Sequence, residues 1–179
     1  MVDAEIGGVA GAGSGEQTLA RRLYGRLGDD WLLIADRNFY NWADWKAAAA
    51  SGAQLLWRVK ADLSLPVIEI LPDGSYSSVL INPKIRGAAR QRLVEAARAG
   101  QDLHPEQAVG VRVIEYTVPD RDGDGTGELI TLITTITDPR VAPAQALAQA
   151  YQQRWGATRG RACRVNAQIG GRLCRVRSS

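Results

Sequence analysis

"WLLIADRNFYNWADWKAAAASGAQLLWRVK", residues 31–60, decides how the rest of the chain is read. It opens on "WLLIA", five apolar residues with no polar interruption. A short continuous run of this kind suits a strand buried on both faces of a parallel sheet. Asp36 follows at once. Asn41 then stands before a helical stretch to about Ala50, in the position of a cap that accepts from a free backbone N–H. Gly52 stops that helix. "QLLWRVK", residues 54–60, is a second apolar strand. Strand, helix and strand at this spacing predict a βαβ unit, with parallel strands and a right-handed crossover.

Upstream, "GGVAGAGSG", residues 7–15, reads as a linker or loop. It matches neither the dinucleotide fingerprint nor a phosphate loop, because no Lys-Ser or Lys-Thr follows. Glu16 opens a helix to about Leu27, with Leu19, Leu23 and Leu27 four apart on one face. Gly28 ends it.

Downstream the pattern changes. "VIEIL" and "YSSVLI" flank the turn signal "PDGS". Residues 84–99 read as a helix, with Ala89, Leu93 and Ala97 on one side. "VRVIEYTV", residues 111–118, and "ELITLITTI", residues 128–136, read as antiparallel partners. Pro143 opens the last helix, which puts Ala144, Leu147, Ala148, Tyr151 and Trp155 on one stripe. The expected organisation is a partial core over 1–62, a β-rich insertion over 63–140, a terminal helix over 141–158 and a tail over 159–179. The tail, "RGRACRVNAQIGGRLCRVRSS", has six arginines and no acid. Such a break in composition fits a disordered terminus or a slipped reading frame, and its abruptness favours the slip.

Bulk properties narrow the class. The 179 residues allow one domain with a real core, and 45% hydrophobic with 23% charged residues is ordinary globular composition. The net charge is +3 and the pI about 9.1, compatible with a nucleic-acid partner without implying one. Nearly all basic residues are arginine; lysine occurs only at Lys46, Lys60 and Lys84. Arginine suits bidentate phosphate contacts, and a genome rich in G and C produces the same bias. There is no apolar run of membrane-spanning length and no signal peptide, so a cytoplasmic location is expected. Cys163 and Cys174 make neither a zinc spacing nor a disulfide framework.

Three groups of residues can carry chemistry. Asp36 sits at the C-terminal end of a buried strand, where ligands collect in open α/β sheets, and its carboxylate can hold a hard divalent metal. The competing role is a helix cap or a salt-bridged loop aspartate. Tyr151, Arg154 and Thr158 share one helix face. A phenol and a guanidinium there can grip a phosphate, or be a core tyrosine beside a solvated arginine. "DRDGDGTGE", residues 120–128, resembles the start of a calcium loop through Asp120, Asp122, Asp124 and Gly125, but Thr131 stands where the closing glutamate belongs. His104 is given no role.

Together these pieces resemble a bacterial insertion-sequence DDE transposase of the insertion-sequence-four family, from about Asp3 to Trp155. The resemblance rests on "DAEIG", "GEQTLARRL", "LLIADRNFYNWADWKAAAASGAQLLWRVKADLSLPVIEILPDGSY", "VRVIEYTV" and "LITTITDP", in that order. It implies an α/β, ribonuclease-H-like fold, partial here, with an antiparallel β-rich insertion and a C-terminal helix. It also implies a DNA substrate, the ends of a transposon. Three carboxylates would bind two Mg2+ ions that activate water, and later a DNA 3′-hydroxyl, for attack on phosphodiesters. Asp36 matches the second aspartate. Tyr151 and Arg154 match the tyrosine and arginine of the family's terminal signature. Thr158 stands where its glutamate should be and Val165 where its lysine should be. The first aspartate belongs on a strand upstream of "DAEIG". The expectation is a transposase-derived remnant, truncated at both ends, keeping one of three catalytic carboxylates and doing no strand transfer. One alternative is a non-catalytic DNA-binding product that interferes with a full-length transposase on the nucleoid, using Tyr151, Arg154 and the basic segment from Arg86 to Arg98. Another is a calcium-binding β module.

Overall fold

The computed structural model describes residues 16–118, 127–156 and 172–175. Helix α1 spans Glu16–Tyr24, three residues short of the expected Leu27. Gly25 follows it, a residue that costs a helix about 1 kcal/mol. The chain closes instead with tighter turns, Arg26 N–H to Leu23 O at 2.9 Å and Leu27 N–H to Tyr24 O at 3.2 Å.

Strand β1, Trp31–Ala35, leads through a single turn of 3-10 helix, Arg37–Phe39, into helix α2, Trp42–Ala49. Asn41 caps α2: its side-chain oxygen accepts from Asp44 N–H at 2.9 Å. Gly52, at φ +85°, takes the left-handed turn that returns the chain to the sheet. Strand β2, Gln54–Val59, then pairs parallel to β1, with Leu33 opposite Leu55 and Ala35 opposite Trp57. The expected parallel strands joined by a helix are present.

The next segment extends the same sheet. Strands β3, Glu69–Ile70, and β4, Tyr76–Ile81, form the expected hairpin around "PDGS", where Gly74 sits at φ +82°. Helix α3 is Gly87–Arg98, shorter at its start than 84–99. Asn82 to Ile85 is held as a turn, with Ile85 N–H on Asn82 O at 2.8 Å and Lys84 N–H on Asn82 Oδ1 at 3.0 Å. Strands β5, Ala108–Val118, and β6, Glu128–Thr134, pair antiparallel as expected. β6 also runs antiparallel to β2. The insertion strands therefore continue the βαβ sheet. Helix α4 covers Ala144–Gly156. Strand β7, Arg172–Arg175, pairs parallel to β1. Within the tail expected to be shapeless, these four residues have a regular partner.

The result is a mixed α/β architecture. Among the described residues one seven-stranded sheet runs in the order β3-β4-β5-β6-β2-β1-β7, mostly antiparallel. Alternation along the strands builds a core on each face. Leu33, Ala35, Leu55, Trp57 and Val59 face α1 and α2, with Tyr24, Trp45 and Ala48. Leu32, Ile34, Leu56, Ile114 and Leu132 face α4, meeting Leu147, Ala150 and Tyr151. Ala150, not the expected Ala148, completes the buried stripe of α4. β1 is buried on both sides, which is why its sequence shows no alternation. α3 packs Leu93, Val94 and Ala97 on Val79 and Ile81, and none of its residues is fully buried.

Candidate functional site

The parallel register of β1 and β2 builds the site. One step past the Ala35–Trp57 pair the chain reaches Asp36, just beyond β1, and Arg58, within β2. Both share the parity of residues that face α4, since Ile34 and Leu56 lie in that core. α4 brings Tyr151 down on them. Its hydroxyl donates to Asp36 Oδ1 at 3.2 Å. The same oxygen accepts from Arg37 N–H at 2.7 Å, capping the 3-10 turn. Asp36 is thus a cap, as its competing reading held, and also the partner of Tyr151. Both side chains are buried.

Arg58 completes the cluster and was not singled out by sequence. Burial opposes its charge. The Glu128 carboxylate, Tyr151 and Asp36 together outweigh that and raise its pKa above the ordinary value. Arg58 Nη2 pairs with Glu128 Oε1 at the start of β6, and Arg37 Nη1 approaches the same oxygen at 3.8 Å. Its signal was present: a charged residue inside the apolar "LLWRV", at the strand end next to Asp36.

A second polar network fixes α4. Arg112 of β5 is wholly buried. It donates to Ser75 Oγ at 2.8 Å and Ala142 O at 2.7 Å, and pairs with Asp73 Oδ2. That carboxylate oxygen accepts from Ala144 N–H at 2.7 Å, so a residue 71 positions earlier caps α4. Burial raises the Asp73 pKa, but hydrogen bonds from Ser75 and Ala144 and the charge of Arg112 prevail and hold it below the ordinary carboxylate value. For Arg112, burial lowers the pKa and Asp73 offsets only part; guanidinium remains charged regardless.

The structure thus brings Asp36 and Tyr151 together. Arg154 lies on α4, one turn further on, with its side chain outside the described residues. Thr158, Val165 and Cys163 lie outside them, as do Asp120, Asp122, Asp124 and Gly125 of the expected calcium loop, whose flanks are β5 and β6. His104 Nδ1 accepts from Glu106 N–H at 3.2 Å within a turn.

No protein-family model and no curated protein matches this chain.

Among the described residues no group of three His, Cys, Asp or Glu is placed to hold a metal ion. Asp36 Oδ1 is engaged by two donors, and Arg58 adds positive charge beside it. A magnesium pair needs ligands that hold the ions about 3.5–4 Å apart. The described donor set does not fit such a pair. What the cluster offers chemically is a carboxylate of fixed orientation beside Arg58, whose guanidinium and that of Arg37 meet at Glu128. No helix among the described residues is long and apolar enough to cross a membrane.

Proposed function

We infer that this chain is a transposase-derived protein of the DDE type, with a partial ribonuclease-H-like core, that does not itself carry out strand transfer. The contact between Tyr151 and Asp36 carries the reading. The resemblance assigns those two residues to separate motifs, the second aspartate and the terminal helical signature. A common active centre requires them to lie together. The parallel pairing of β1 and β2, with Asp36 just past the C-terminal end of β1, supports the same ancestry.

The loss of strand transfer rests on the sequence. On the resemblance, Thr158 occupies the position of the third carboxylate, and a neutral hydroxyl does not replace a metal-bridging carboxylate. Magnesium, which the family would use, binds weakly here on this reading. The roles left to the chain's own residues are positional. Tyr151 orients Asp36, and Arg58 balances the carboxylate's charge.

A second reading, a non-catalytic DNA binder that interferes with a full-length transposase, is favoured by α3. Arg86, Arg92 and Arg98 are exposed on or beside this helix, against the single acid Glu95 within it. Exposed guanidinium groups of this kind supply phosphate contacts without base readout.

One experiment tests both. The purified chain is incubated with duplex DNA and Mg2+ or Mn2+, and cleavage, joining and binding are followed over a range of salt. The first reading expects no turnover. The second adds binding whose logarithm falls with log salt at a slope of about 0.9 per phosphate neutralised. Metal-dependent turnover abolished by Asp36→Ala would overturn the inactive assignment. The absence of any salt-sensitive DNA binding would remove the second reading.

A further inference from the structure

Just beyond the C-terminal ends of β1 and β2 lies a cleft of about 270 Å³, lined by Arg37, Tyr40, Lys60, Asp62, Leu63 and Ser64. Its position follows from topology. Adjacent parallel strands end at one edge of the sheet, and the chain leaving them opens a crevice where ligands collect. Arg37 follows β1 and Lys60 follows β2. Arg90 of α3 reaches the same rim, donating to Ser64 O at 3.3 Å. Its charge also acts on the Tyr40 phenol.

Three cations therefore gather at a rim that holds Asp62, with Glu128 approaching Arg37 from outside it at 3.8 Å. Lys60 has no ion-pair partner among the described residues. An ammonium with no described partner beside two guanidinium groups is a local excess of positive charge, which an anion relieves. Burial pushes the Tyr40 phenol up to about 12 against the opposing charge of Arg90, so at neutral pH its hydroxyl remains a donor. Ser64 supplies a second hydroxyl, and Leu63 an apolar wall.

We propose that this cleft binds a phosphoryl group between Arg37, Lys60 and the Tyr40 hydroxyl. The cleft is smaller than sites that enclose a whole small molecule, so it takes the phosphoryl group and leaves the rest of the ligand outside. That the group belongs to a DNA strand passing Asp36 rests on the function inferred above. A 5′-mononucleotide carries the same chemistry.

The test uses the full 179-residue chain, titrated at low salt with inorganic phosphate, a 5′-mononucleotide and a single-stranded oligothymidylate. Inorganic phosphate is expected to bind. Lys60→Ala should weaken binding by about tenfold, the scale of one lost charge-assisted contact. Lys60→Arg should retain most of it, and Arg37→Gln should weaken it as Lys60→Ala does. Lys60 is exposed, so thermal melting should match across the lysine variants. Oligothymidylate binding that falls in step with phosphate binding assigns the site to a DNA strand. Mononucleotide binding alone keeps the cleft and removes the DNA source. No phosphate binding, or binding that neither Lys60→Ala nor Arg37→Gln changes, overturns the proposal. If duplex DNA still binds in that case, the cleft fails and the DNA reading stands.

Discussion

The Tyr151 hydroxyl donates to Asp36 Oδ1 across 3.2 Å, joining residues 115 positions apart. Both are buried. The bond ties the end of β1 to the helix that covers that face of the sheet. Asp36 Oδ1 keeps its bond from Arg37 N–H when the phenol hydroxyl is removed, so the deletion reads the energy of the hydrogen bond from Tyr151 to the carboxylate.

Tyr151→Phe should therefore destabilise the fold by about 1–3 kcal/mol, read from urea denaturation. The ring stays and only the hydroxyl goes. In a double-mutant cycle with Asp36→Asn, the two changes should couple by at least about 0.5 kcal/mol. Strict additivity would mean that the two side chains do not support each other.

Acid sensitivity should trace to Asp73. Its carboxyl is held below the ordinary value in the folded chain, with Ser75, Ala144 and Arg112 outweighing burial. In acid the unfolded chain thus binds more protons at this group, and stability rises with pH. The contribution is fully present above the unfolded carboxyl pKa, about 3.9, and is lost as pH falls through the lower folded value. Melting temperature followed from about pH 5 downward should drop less steeply in Asp73→Asn than in the parent. Equal slopes would show that Asp73 titrates alike folded and unfolded.

Arg112→Ala should be among the most damaging single changes. It strips partners from Asp73, Ser75 and the Ala142 carbonyl at once. Breaking a buried ion pair from one side costs about 3–5 kcal/mol, and here it also loosens the cap of α4. Equilibrium unfolding measures the loss. A cost below about 1 kcal/mol, the scale of a surface pair, would show that the Arg112–Asp73 network does not hold α4.

Trp57 is the packing test. Its ring meets Trp45 edge-on at 5.4 Å between centroids and lies 6.4 Å from Tyr24. Trp57→Ala should cost about 3–5 kcal/mol by leaving a cavity and should weaken the near-ultraviolet circular dichroism of the tryptophans. Trp57→Phe should keep most of the stability, since its indole N–H has no hydrogen-bond partner among the described residues. An equal loss in both variants would argue against cavity formation as the cause.

Much of this molecule can be read from short stretches of chain. "WLLIA" is uninterrupted because both faces of β1 are covered. Asn41 and Gly52 mark the ends of α2 because a cap and a left-handed turn are local matters of side-chain reach and backbone φ. "PDGS" gives its hairpin away for the same reason. Asp36 stood out because a carboxylate at the end of a buried strand is uncommon enough to notice. Arg58 and Arg112 were visible as charges within apolar strands, but their roles were not, because such a charge shows no trace of the partner that makes it tolerable.

Periodicity, caps and turns belong to contiguous residues, and so the sequence by itself determined the four helices, the strands β1 to β6, their order and the parallel sense of β1 and β2. The tertiary structure alone decided that β6 joins β2 and that Arg172–Arg175 pairs with β1. It alone decided that Asp73 caps a helix 71 residues away, and that Tyr151 meets Asp36. Those contacts depend on how the two faces of one sheet are covered at once. A buried polar group accepts any partner of suitable geometry, and only the packed chain selects which one arrives.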